Sequence, residues 1–227
     1  MTLFLRQSWA IAAKDLRMEL RNREVISSVG AFALIVLMLF SFAFDPISNP
    51  DARSMSGGLL WVVYAFAGIL ILNRSFGRET ANGCLTGLTA APAGGGAVFL
   101  GKTIASFVLL FLLELVSLLV FKVFYDLSWS GSNASLLAIL LLGAWALAAT
   151  GSMFGAVTAN NRLRELMMPV LVLPMVLPAL IACVQLTTLI LAGEPIGESF
   201  IWMRLLVVFN IIFTLLGATL TDFVLSS

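Results

Sequence analysis

Three features of this chain combine residue types that could do chemistry, and each points to a different class of it. Residues 96–103 read Gly-Ala-Val-Phe-Leu-Gly-Lys-Thr, the spacing of a phosphate-binding loop. Glu114 stands in the middle of a long apolar run, where a carboxyl could belong to a substrate path or an inter-subunit contact, or be a neutral group hydrogen-bonded to a neighbouring helix. The stretch Arg74–Lys102 gathers charge, glycine and proline between two apolar runs, as a projection that presses on a partner protein would. What is missing excludes as much. The chain has no histidine, so it supplies no histidine-dependent triad, no imidazole metal ligand and no histidine axial ligand to haem. Its two cysteines, Cys84 in a loop and Cys183 in an apolar run, give no disulfide framework. No group of acids and thiols has metal-ligand spacing, and no nucleophile–base pair or pair of carboxylates converges, so an enzyme is not expected.

The phosphate-loop reading fails on context. Such a loop needs a buried strand before it, a helix after it and a nucleotide-binding domain around both. Here the motif runs straight into an apolar stretch, and the 29 residues of Arg74–Lys102 leave no room for an α/β domain. Val98, Phe99 and Leu100 suit a packed helix better than a tight anion cradle. No ATP site is expected in this chain.

The elements that position these residues follow from composition. Apolar residues make up 60% and charged residues 11%, against roughly 45–50% and 25% in a globular domain. Six runs approach the roughly 20 residues a helix needs to cross a bilayer: Val25–Phe44, Gly58–Leu72, Thr103–Phe124, Ala134–Thr158, Pro169–Ala192 and Ile201–Val224. The fold expected is all-α and integral to the membrane, a single transmembrane domain over 1–227. Residues 1–24 precede the spans, residues 25–224 hold them, and residues 74–102 form a cytoplasmic loop. The first apolar run and its charged leader are both too long for a signal peptide.

Lysine and arginine orient the spans. Arg6, Lys14, Arg17, Arg21, Arg23, Arg74, Arg78, Lys102, Arg162 and Arg164 fall on one side, ten of the thirteen basic residues. Both termini are therefore expected in the cytoplasm. In the leader, Leu5, Trp9, Ala13, Leu16 and Leu20 recur at helical spacing, as in an amphipathic helix lying on membrane lipid. It serves either as a positive-inside anchor or as an elbow that bears on a partner. With a net charge of +1 and no basic module, nucleic acid is not an expected partner.

The loop 74–102 runs from a charged exit through a short helical segment to a Pro-Gly break. Leu85 and Leu88, three apart, could show one apolar face to a groove before Pro92 ends the segment. The arrangement Arg78-Glu79, Gly83, Leu85, Leu88, Pro92, Gly101-Lys102 resembles the first cytoplasmic loop of type-2 ABC exporter permeases. Residues 59–79, 82–83, 87–92, 100–102, 161–185 and 202–213 are similar to the cytochrome c maturation B, or haem exporter protein B, family. That resemblance spans nearly the whole chain.

The resemblance implies the six-span type-2 permease architecture, with a coupling helix in the loop that docks on a separate ATPase of the A type, where ATP and magnesium would sit. It implies further partners: a haem-handling C-type membrane subunit, a small D subunit and the E-type haem chaperone. A second copy of the chain is a further candidate. Haem would be handled by partners, with no cofactor bound by this chain, and ATP hydrolysis would serve haem delivery or release of the loaded chaperone in a bacterial inner membrane. The competing reading of the same fold is a general exporter of lipid, polysaccharide or drug.

Within the spans, Glu114, Gln185 and Asn210 are the polar residues to watch, Asn210 as a bond between helices. Gly143, Gly151, Gly155 and Ala159 recur at multiples of four, which allows close helix approach. They suit packing inside one subunit better than a seam between two. Pro174 and Pro178 could form a hinge in the fifth span, and Arg162, Arg164 and Glu165 before it would be a second cytoplasmic contact with the ATPase.

Overall fold

In hydrocarbon every backbone N–H and C=O must find a partner within the protein, and a helix does this within one segment. The computed structural model follows that rule. It describes residues 2–22, 24–49, 52, 54–81, 94–125, 133–159, 161, 163–193 and 200–226, and among these the regular structure is helical, without strands. The helices are α1 (Thr2–Asn22), α2 (Glu24–Phe44), α3 (Ser56–Ala81), α4 (Gly95–Phe124), α5 (Asn133–Val157), α6 (Arg164–Ala192) and α7 (Phe200–Ser226). The last six each hold a segment long and apolar enough to span a membrane. The all-α membrane fold expected from the sequence is the fold observed.

Two helix boundaries lie well outside the apolar runs that announced them. The second span, read as Gly58–Leu72, is the 26-residue helix α3, which carries on through Asn73–Ala81. Hydropathy marks only the part of a helix that sits in lipid, and nothing in Arg74–Ala81 breaks a helix before Asn82-Gly83. The third span begins eight residues before Thr103, at Gly95. Helix formation in this glycine-rich start is set by packing, because each glycine admits a neighbouring helix. A Cβ on Gly95 would stand 2.5 Å from Asp222 Cα and from the Thr221 carbonyl oxygen of α7. One on Gly101 would stand 2.7 Å from the Ser8 carbonyl of α1. The expected loop 74–102 is thereby reduced to the connection between α3 and α4.

Gly95→Ala is accordingly expected to push α7 away and lower stability by about 1–3 kcal/mol, the usual range for overpacking. Thermal unfolding of the detergent-solubilised protein reads it. An unchanged midpoint would mean that α4 and α7 do not meet here.

The core centres on α5, which packs against α3, α4, α6 and α7. Its small residues make this possible. Gly143 lies under the Trp61 ring and beside Cys183 Sγ, and Gly151 lies under Leu72. At these two positions the glycine stripe is filled from within the subunit. Helix α2 stands at the edge, touching α3 and α4. At one end of the bundle the Ser41 hydroxyl donates to the Phe124 carbonyl at 3.2 Å, joining α2 to α4. The ends of α6 are set locally. Asn161 Oδ1 accepts from the Leu163 N–H at 3.0 Å just before the helix, and Gly193 closes it at φ 76°, in the left-handed region.

Candidate coupling face and polar core

Most of the described basic residues lie at one end of the bundle, where α1 packs on the start of α4, while Lys122 and Arg204 lie at the other. Helix α1 uses different faces for different neighbours. Ser8, Ala12, Asp15 and Glu19, spaced four, three and four apart, turn towards the bundle, and Ser8, Ala12 and Glu19 are buried. Leu5, Trp9 and Leu20 of the expected lipid stripe stay exposed, and Ala13 and Leu16 are half-buried. Both uses are consistent with the periodicity, but the bundle-facing side is small and polar.

Asp15 on that polar side meets Lys102. The lysine side chain is fully buried, and Nζ lies 3.2 Å from Asp15 Oδ2 of α1. Asp15 Oδ1 lies 3.2 Å from Lys14 Nζ, so one carboxylate meets a buried cation and an exposed one. Residues 96–103, the apparent phosphate loop, are all helical within α4, and their lysine is taken by this ion pair. Gly101 and Lys102 therefore have a structural explanation that sequence reasoning missed: the glycine admits α1 and the lysine fastens it. The spacing of Ser8, Ala12, Asp15 and Glu19 was a readable signal of a second packing face. Its partner was not readable.

The other expected contact residues are dispersed. Arg78 and Glu79 form part of the last turns of α3. Gly83, Leu85, Leu88, Pro92 and Arg162 lie outside the described residues. Arg164 opens α6, but its side chain is buried and Nη2 donates to the Asn73 carbonyl at 2.8 Å, tying α6 to α3. Glu165 beside it is exposed in the first turn of α6, where the helix dipole favours a carboxylate. At the opposite end α3 and α6 are tied again, by the Trp61 indole N–H donating to Thr187 Oγ1 at 2.9 Å. These two helices are clasped at both ends.

Between the clasps lies the polar core. Trp61 packs edge-on against Tyr64, with ring centroids 5.5 Å apart. The Tyr64 hydroxyl donates to the Glu114 backbone carbonyl at 3.0 Å, and the Ser117 hydroxyl donates to the same carbonyl at 3.2 Å. The Glu114 side chain is fully buried, and neither carboxyl oxygen has a hydrogen-bond partner among the described residues. Asn210 does what an amide inside a bundle is expected to do: Nδ2 donates to the Leu142 carbonyl of α5 at 3.0 Å. Gln185 faces outward on α6, as do Pro174 and Pro178. Helix α6 continues through Pro169, Pro174 and Pro178 as one 29-residue element. Among the described residues no group of His, Cys, Asp and Glu could hold a metal ion.

Six spans with an amphipathic helix fastened across one end narrow the field to a membrane subunit. The family model described as CcmB protein matches residues 6–224. The chain belongs to the CcmB family. Curated relatives carry the name heme exporter protein B. The Rhodobacter capsulatus protein is 31% identical over 172 residues, covering 76% of this chain and 78% of its own length. The Paracoccus denitrificans protein is 34% identical over 173 residues, again 76% and 78%. The Pseudomonas aeruginosa protein is 26% identical over 217 residues, covering 96% of this chain and 93% of its own. Membership makes this CcmB-family chain a multi-pass membrane protein of a haem exporter family, in keeping with a transporter component rather than a catalyst.

Proposed function

We propose that this chain is the membrane subunit of an ABC complex in cytochrome c biogenesis, driven by an ATPase on a separate polypeptide. The observation that carries the reading is the family match from residue 6 to residue 224, which takes in the spans, the basic end and both connections at that end. Positive-inside bias puts that basic end, and both termini, in the cytoplasm of a bacterial inner membrane. The partner ATPase would bear on the α3–α4 connection through Arg78, Glu79, Gly83, Leu85, Leu88 and Pro92, and on the α5–α6 turn through Arg162 and Glu165. Force applied to those two connections reaches α3 and α6 together, because Arg164–Asn73 and Trp61–Thr187 clasp the pair. Pro174 and Pro178, facing outward, are where α6 would bend. ATP and magnesium belong to the ATPase, and the C-type, D-type and E-type proteins would handle haem. The stroke then serves haem delivery or release of the loaded chaperone.

A haem stain of membranes and periplasm from a deletion strain tests this, with complementation by wild type or Glu79→Ala. The c-type bands should vanish on deletion, return with wild type, and stay near absent with Glu79→Ala while the protein is present at normal level. Bands untouched by deletion would sink the assignment to cytochrome c biogenesis. Full rescue by Glu79→Ala would remove the α3–α4 connection from the coupling.

A further inference from the structure

At the basic end, a groove opens between α2 and α6 with α3 as its floor. It holds a cavity of about 620 Å³, inside the roughly 300–1,000 Å³ typical of ligand sites. The groove is amphipathic along its length. Phe66 and Leu70 of α3, Phe32 of α2 and Pro169 of α6 line the part deeper in the span, and Ser28, Asn73, Arg74 and Glu165 line the mouth. Among the described residues the mouth carries both signs of charge. Arg74 Nη1 lies 3.1 Å from Glu24 Oε1, and the Glu165 carboxylate is exposed. One polar atom there is unsatisfied: Asn73 Oδ1 is buried and has no hydrogen-bond partner among the described residues.

We infer that this groove is a site for a phospholipid with a primary ammonium headgroup, phosphatidylethanolamine in a bacterial membrane. The requirements converge on that chemistry. The apolar floor takes the start of an acyl chain, and Arg74 and Ser28 donate to the phosphate. The ammonium, with three N–H donors, meets the exposed Glu165 carboxylate. Phosphatidylcholine has the same charges but no N–H to give, and phosphatidylglycerol has no ammonium to meet Glu165. The ligand is a resident lipid, so the inference does not depend on what the transporter handles.

Native mass spectrometry of the purified membrane complex, challenged in turn with phosphatidylethanolamine, phosphatidylcholine and phosphatidylglycerol, tests it. The ethanolamine lipid should be retained about three- to tenfold better than either competitor, the worth of one or two charge-assisted hydrogen bonds at a partly solvated site. Glu165→Gln, conservative in shape and at an exposed position, should bring it down to the phosphatidylcholine level. Leu70→Trp, which fills the groove, should lower retention of all three lipids. Equal retention of the three, unmoved by Glu165→Gln, would reduce the groove to ordinary annular lipid. Absence of lipid, with a disulfide forming between two copies carrying Leu70→Cys, would show a second copy of the chain in the groove and overturn the inference.

Discussion

Lys102→Met is expected to release α1 from the bundle and to lower stability by about 3 kcal/mol. Breaking a buried ion pair from one side typically costs about 3–5 kcal/mol, because the remaining charge is left without compensation. The lower end applies here, since Asp15 keeps 12% of its side-chain surface and the exposed Lys14 beside it. The paired replacement Asp15→Leu with Lys102→Met should recover most of the loss, because a well-packed apolar pair is often as stable as the ion pair it replaces. Thermal unfolding reads the energy, and trypsin cleavage at Arg17 and Arg21 reads whether α1 has come away. A single variant with unchanged unfolding and a protected α1 would show that Gly101 and the apolar contacts hold the helix by themselves.

The second large effect is expected at Glu114 and runs the other way. A buried polar group without a partner costs roughly 1–3 kcal/mol, judging from mutational data. Glu114→Leu removes that group with little change of volume. It leaves the Tyr64 and Ser117 bonds intact, since both go to the backbone carbonyl of residue 114. The variant should therefore be more stable by about 1–3 kcal/mol and yet fail to restore c-type cytochromes in the deletion strain. Glu114→Gln, measured alongside, separates a need for the carboxyl from a need for any polar group. A less stable Glu114→Leu protein would mean that the carboxyl has a partner in the membrane. Stabilisation with full cytochrome production would make Glu114 a structural remnant.

What the sequence made legible was whatever depends on local pattern. Six apolar runs gave six spans, the glycine stripe of α5 gave close internal packing, and Asn210 gave a bond between helices. The false phosphate loop was rejected on context, and α4 runs through it as a helix. What was not legible depends on which helices meet. Nothing local distinguishes a lysine that points into solvent from Lys102, buried against a carboxylate far back in the chain. Arg164 reads as one more cytoplasmic charge until its guanidinium is seen on the Asn73 carbonyl. Helix ends failed for a related reason: hydropathy registers only apolar side chains, whereas α3 continues through the polar Asn73–Ala81 and α4 starts in glycines packed on α1 and α7. Gly83, Leu85, Leu88, Pro92 and Arg162 lie outside the described residues, so the contact expected of them rests on pattern and resemblance.

The bond between Lys102 and Asp15 also sets an order of events during synthesis. Its two ends are 87 residues apart, so at roughly 5–20 residues per second α1 leaves the ribosome about 4–17 s before its partner exists. Over that interval Asp15 lacks its buried partner, and the exposed stripe of Leu5, Trp9 and Leu20 is available to hold α1 on a lipid surface. The nascent chain thus waits on the lipid by one side of a helix and is captured later by another. A protein assembled in this way needs α1 to be amphipathic twice over, once for the membrane that receives it and once for the bundle that keeps it.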